Sequence, residues 1–340
     1  MTEIEVPDPD QNVEAESQEN QSPYRNLLVP LVVVPAVIVM ALVLVFVMFG
    51  AIAGEESSPK ENLEKVMTGG HNESQQAAFN LMRQVIEDIE VETKNAELVR
   101  QGRASEVEES PWEIGADLVP GLSDALADRW PPDEKADVPV PLALAATLAN
   151  LGDVGGVETL CSLLELTDEV DPGGEFRFQA TMLLAALGRE LEEQDAAVMA
   201  STARALIARL DDDDPGLRNA AVVALQAYAT PESVGALEGM LTDSSLETRG
   251  CAALSLAKQG VETGSEVLRS MLLLSTYEEE RAQEPTKWTK GEQISDSRQR
   301  ALLALEQIDQ IPSKEELQAL VDDDPDSLVR ELAMKFLEGS

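Results

Sequence analysis

Along most of this chain, apolar residues recur at three- and four-residue spacing, in short runs broken by Asp, Gly and Pro. That period predicts amphipathic helices rather than strands. It is clearest over residues 211–242, which read as two helices back to back. Asp213-Asp214-Pro215 opens the first: a carboxylate beside the cap accepts from orphan N–H groups, and proline suits the first turn. Small and branched residues follow from Leu217 to Leu225. Thr230-Pro231-Glu232 restarts the chain, and Val234, Leu237, Met240 and Leu241 repeat the stripe on a second helix.

The pair is a repeating unit. Its first helix, A, reads Arg-x-x-Ala-x-x-Ala-Leu and its second, B, reads Leu-x-x-Met-Leu. Leu237 lies 19 positions after Arg218, Leu268 lies 19 after Arg249, and Leu317 lies 19 after Arg298. Upstream, Leu142 pairs with Leu160 at an offset of 18, and Arg177 with Ala203 at 26. The chain closes on Arg330, Ala333, Phe336 and Leu337, a helix A with no B helix after it. A helical unit of roughly 30–40 residues, with small residues where helices approach, predicts an α-solenoid.

The Asp-x-x-[Val/Leu]-Arg-x-x-Ala-[Ala/Val]-x-Ala-Leu helix A, best seen at 214–225 and 324–337, resembles HEAT repeats. Among these it is most similar to the short bacterial kind related to phycobilin-lyase HEAT-like repeats. The resemblance covers about Met67 to Glu338. It implies an all-α solenoid of about six helix pairs, with half-repeats at both ends, and the role of an interaction scaffold.

Ahead of the repeats, residues 1–25 are polar and acidic with three prolines, which predicts a disordered tail. Between Leu27 and Ala53 no charged residue occurs. At ~1.5 Å per residue this run is about 40 Å of helix, more than the ~30 Å hydrocarbon thickness, so residues 26–53 are expected to form one transmembrane helix. A cleaved signal peptide is the rival, since Ala51-Ile52-Ala53 fits a small-x-small site. The long acidic n-region and the length of the apolar run oppose it. The expectation is a single-pass protein of a bacterial cytoplasmic membrane, contacting the bilayer through residues 27–53. Arg25 before the span and Lys60 and Lys65 after it leave the side of the solenoid open. Residues 54–67 are read as a linker and a capping helix opened by Ser58-Pro59-Lys60-Glu61, and 68–338 as the solenoid. Within it, residues 94–109 and 275–294 are expected to be inserted loops.

Charge narrows the partners. Sixty-four acidic against 25 basic residues give a net charge of −39 in 340 residues, a field that repels phosphate backbones and disfavours nucleic acid. Chemistry is sparse: no catalytic, cofactor-binding or metal-binding set is expected. His71 is the only histidine, expected in an exposed turn, so the paired His-Glu iron ligands of HEAT-fold hydroxylases are excluded. Asp211–Asp214 and Asp322–Asp324 lack EF-loop spacing and read as helix caps. Asn72-Glu73-Ser74 fits a glycosylation sequon that carries no weight alone. Cys161 and Cys251 sit in separate apolar stripes, so a disulfide is not expected. Arg177, Arg218, Arg249, Arg298 and Arg330 recur at one repeat position. The resemblance to HEAT repeats implies that they pair with aspartates of neighbouring repeats, and Asp214, Asp243, Asp296 and Asp326 are placed to serve.

In stacked helix pairs the B helices usually line the partner-binding wall. Glu158, Glu238, Glu262, Glu266 and Arg269 are its polar positions, and Tyr277, Arg281 and Trp288 lie in the second insertion. The expectation is a membrane-anchored scaffold whose acidic groove holds a basic or amphipathic protein or peptide. The alternatives are a lyase or chaperone for a prosthetic group, and a purely structural envelope spacer.

Overall fold

The computed structural model describes residues 57–191, 196–283 and 291–339. The acidic tail, the apolar run, Pro285, Lys287, Trp288 and Lys290 lie outside them. Among the described residues no helix is long and apolar enough to cross a membrane.

From Ser58 onward the described residues form fifteen α-helices. The A helices are α2 (His71–Arg100), α4 (Pro139–Asn150), α6 (Glu175–Leu191), α8 (Pro215–Leu225), α10 (Leu246–Lys258), α13 (Gly291–Gln307) and α15 (Ser327–Gly339). The B helices are α1 (Pro59–Thr68), α3 (Val119–Ala127), α5 (Val154–Leu163), α7 (Ala196–Ile207), α9 (Pro231–Met240), α11 (Ser265–Met271) and α14 (Lys314–Asp323). One extra helix, α12 (Leu274–Gln283), sits between α11 and α13. Each A helix packs on the next A helix from α2 to α15, so the A layer is one continuous stack. In the B layer α1 packs on α3, and α5, α7 and α9 follow in succession.

Starts and stops follow local chemistry. Ser58 with Glu61, Thr230 with Ser233, and Ser313 with Glu316 form reciprocal capping boxes. Asp153, Asp214 and Ser245 accept from the N–H groups of Gly156, Gly216 and Thr248. The core is spread along the stack in two stretches, one from Val66 to Leu256 and one from Ala253 to Ala333. Leu81, Leu144, Leu184, Leu225, Leu256 and Leu305 are fully buried, one on each of six successive A helices. Each contributes roughly 1.5–3 kcal/mol relative to exposure.

Two expected loops are helical in part. α2 runs through residue 100, because residues 94–100 contain neither Gly nor Pro and Leu98 is buried. The helix stops only before Gly102, at φ +76°. The segment after it is pulled back: Asp88 accepts from the backbone N–H groups of Trp112 and Ile114 at 3.0 and 2.8 Å. In the second insertion, residues 274–283 form α12, and α13 begins at Gly291 rather than near Ser295. Charge density had suggested loops, but Glu, Lys, Arg and Ala are strong helix formers. His71, expected in a turn, is the first residue of α2 and is exposed.

Close approach sets which glycines are required. A Cβ on Gly156 would meet Ala149 N at 2.5 Å and Ala145 O at 2.6 Å, so α5 lies against the backbone of α4. Gly235, on α9, has nothing within 4 Å of an added Cβ. Gly156→Ala should therefore lower stability by about 1–3 kcal/mol, while Gly235→Ala should raise it by up to ~1 kcal/mol. Urea denaturation of the two variants beside the wild type checks the opposite signs.

Candidate functional site

The repeated arginine builds an interlocked relay at the A-helix N-termini. Arg218 donates from Nε and Nη2 to the Asp243 carboxylate at 2.9 and 3.2 Å, and from Nη1 to the carbonyl of Asp212 at 2.9 Å. The Asp243 carbonyl in turn accepts from Arg249 Nη1 at 2.7 Å. One aspartate thus takes the arginine of its own unit on its side chain and the next unit's arginine on its backbone. Asp212 stands in the same way between Arg177, 3.9 Å from its carboxylate, and Arg218. Asp324 does so between Arg298 and Arg330, whose Nη1 reaches the Asp324 carbonyl at 2.6 Å. Arg298 is 1% exposed; both its terminal nitrogens contact the Asp324 carboxylate, and its Nε donates to Leu272 O at 2.9 Å.

The pairing partners therefore differ from three of the four candidate aspartates. Asp214 caps its own helix, Asp296 pairs with Arg300 on the next turn, and Asp326 accepts from the N–H of Leu328. For Arg218 and Arg298 the true partners, Asp243 and Asp324, close the B helix of the same unit, where the chain crosses to the next A helix, while Arg177 donates to Asp168, ahead of its own helix, at 2.7 Å. Where α12 interrupts this crossing, the role is split. Glu280 of α12 lies 3.8 Å from Arg249 and accepts from the N–H of Leu246 at 3.2 Å, while Leu272 O serves Arg298. Asp324 is accordingly more than the expected cap.

The B wall places the other candidates unevenly. Glu158 on α5, Glu238 on α9 and Glu266 on α11 are exposed. Glu262 lies in a short 3-10 turn and accepts from Gln310 Nε2 at 2.9 Å. Arg269 donates to Gln310 O at 3.0 Å and faces Glu316 at 3.4 Å. Glu262 and Arg269 thus join the fifth unit to the sixth. Tyr277 is turned inward, donating to Met271 O at 3.1 Å, and burial pushes its hydroxyl up to about 12. Arg281 lies on α12, and Trp288 is outside the described residues.

Neither cysteine is poised to react. Burial raises both thiols, Cys251 to about 11, and both are free. Among the described residues no cluster of three His, Cys, Asp or Glu is placed to hold a metal. Two concavities open on the first units. One of about 290 Å³ has Asp88, Glu92 and Asn150 at its wall, with Asp88 occupied by the backbone of residues 112 and 114. The other, about 310 Å³, is an apolar groove between Phe79 and Met82 of α2 and Phe178 and Met182 of α6, floored by Leu142 of α4. The period-3.6 pattern did not reveal it, because its residues look like ordinary core positions.

Asp243 is a measurable point in the relay. Burial alone would raise its carboxyl, but the hydrogen bond from Arg218, the Ser245 N–H and the charges of Arg218 and Arg249 together lower it. A lowered folded value means stability present above the unfolded value of about 4 and lost as pH falls through the folded one. The stability gap between wild type and Asp243→Asn should be full at pH 7 and shrink below pH ~4. Urea titrations at both pH values check this. Asp324→Ala, which strands the buried Arg298, should cost about 3–5 kcal/mol, more than the partly exposed Arg249 loses with Glu280→Ala.

Comparison with known proteins agrees with this geometry over part of the chain. No curated protein matches it. Residues 203–284, running from α7 through α12, match the family model for HEAT repeats. That match identifies HEAT repeats over these residues, and the described residues on either side continue the same stack of helix pairs.

Proposed function

We propose that the chain is a membrane-anchored scaffold whose solenoid captures a protein partner on its acidic B wall. The observation that carries this reading is the HEAT-repeat match within a stack of two-helix units; proteins of this kind are in general scaffolds rather than enzymes. The charge-free run between Leu27 and Ala53 supports the anchor. The exposed Glu158, Glu238 and Glu266 on successive parts of the B layer, in a chain of net charge −39, favour a basic or amphipathic partner.

Proximity labelling in cells, with the labelling enzyme fused after Ser340, tests it. Glu158→Lys, Glu238→Lys and Glu266→Lys are combined in one variant, and Glu262 is left in place because it holds Gln310. The wild type should label a discrete set of soluble proteins, and the variant should lose at least one of them. An unchanged set would leave the rod as a spacer. The compartment of the labelled proteins reports the side of the membrane.

A further inference from the structure

The relay arginines give five of the seven A helices a common register, which Ala78 and Ala145 extend to α2 and α4, and one position in it behaves unlike a core position. Five residues after the arginine stand Met182 on α6, Val223 on α8, Leu254 on α10 and Leu303 on α13. Met182, Val223 and Leu303 are 42%, 37% and 48% exposed, and Leu254 is half-buried. These four helices pack in succession, so the residues form an apolar row across the A layer. The row ends at α15, where Lys335 takes the position. At its other end it enters the groove of about 310 Å³ lined by Phe79, Phe178 and Met182. The groove exists because α4 is recessed: every residue from Val140 to Ala149 is buried, including Thr147 at the row position.

A second row runs beside the first. Seven residues before Met182, Leu254 and Leu303 lie Glu175, Glu247 and Asp296, all exposed; Glu175 is 3.2 Å from Lys135, Asp296 is 2.9 Å from Arg300, Glu247 accepts from Asn219, and α8 has Gly216 at this position. A separation of seven keeps both residues on one helix face, about 10 Å apart. The A layer therefore presents an apolar row flanked by an acidic row.

We infer that this surface docks a basic amphipathic helix of a partner protein, its apolar edge on the row and one large side chain in the Phe79–Phe178 groove. Packed helices lie 8–10 Å apart, so the row offers an apolar contact at about that interval. A helix laid across the stack returns the same face every seven residues, about 10.5 Å, which is commensurate with it. An extended strand advances about 10 Å in three residues, but residues three apart point to opposite faces. The acidic row selects basic residues on the docked helix. It also disfavours a second copy of this chain, whose own acidic row would meet it. The inference rests on the scaffold reading for the premise that the solenoid captures protein, and its test rests also on the bilayer anchor. It uses the opposite layer from the B wall, so the two can fail separately.

The test is a fluorescence-anisotropy titration of the full chain in phosphatidylcholine nanodiscs, with empty discs as the blank. The probe is a labelled 21-residue peptide with leucine at the a and d heptad positions and lysine along one flank. It should bind, weaken as salt shortens the screening length from about 10 Å at 0.1 M to about 3 Å at 1 M, and lose affinity when a central proline breaks its helix. Met182→Glu and Leu303→Glu, both at exposed positions, should each weaken binding at least tenfold, with unchanged circular dichroism. Val154→Glu, an equally exposed site on α5, should not. The inference is overturned if the peptide fails to bind, if glutamate for lysine in the peptide binds as well, or if the stripe variants bind like wild type. A wild-type dimer in sedimentation that Leu303→Glu converts to monomer would also overturn it, assigning the row to self-association.

Discussion

The arginine–aspartate relay is the constraint on which the stack depends. A two-layer solenoid spreads its core along its length rather than around one centre, so the register of neighbouring units is set joint by joint. Here Asp212, Asp243 and Asp324 each face one unit's arginine with the carboxylate and accept from the next unit's arginine on the carbonyl. The same contacts satisfy backbone carbonyls that precede each A helix and would otherwise need water. Burial grades the relay. Arg298 is sealed beneath its neighbours, whereas Arg249 faces a half-exposed Glu280. A buried pair is weak as a source of net stability but costly to break, so its value here is register.

Between the arginines, close contact is made by small residues. Ala78, Ala145, Ala180, Ala221, Ala252, Ala301 and Ala333 occupy one position on the seven A helices, and all are fully buried. An alanine there lets A helices approach, and the leucines three or four residues later fill the space between layers. The B helices are shorter and pack on one another less continuously. Two consequences follow for surfaces. The B side keeps exposed carboxylates such as Glu158, Glu238 and Glu266, while the A side carries the apolar row and its groove. A solenoid with two unlike walls can hold two unlike ligands, and the acidity of the whole chain biases both toward basic partners.

The insertion between the fifth and sixth units shows how the relay absorbs an interruption. α12 is not a free loop, because Glu280 reaches the N-terminus of α10 and Tyr277 closes on Met271 O. The inserted helix supplies the carboxylate that the crossing no longer provides. Tyr277, read as a candidate partner contact, makes a contact within the stack, and so do Arg269 and Glu262 at the next joint.

Much of this protein was legible in the sequence by itself. Helix type, the two-helix unit and the repeat of Arg218, Arg249 and Arg298 follow from local period, caps and a constant offset, all of which are short-range properties. Local chemistry could also mark Asp214 as a cap. What only the tertiary structure decided were relations between units: that Arg298 pairs with Asp324 rather than Asp326, and that Glu280 stands in for a crossing aspartate. Whether Met182 and Leu303 face solvent or core was equally undecided. Both carry apolar side chains at helical spacing, and only the recession of α4 and the stacking of its neighbours determine which of them water reaches. Residues 94–100 and 275–283 were misread for a related reason. Their charges are compatible with a loop or an exposed helix, and the choice rests on the burial of Leu98 and on the contact of Tyr277 with Met271 O, neither of which composition shows.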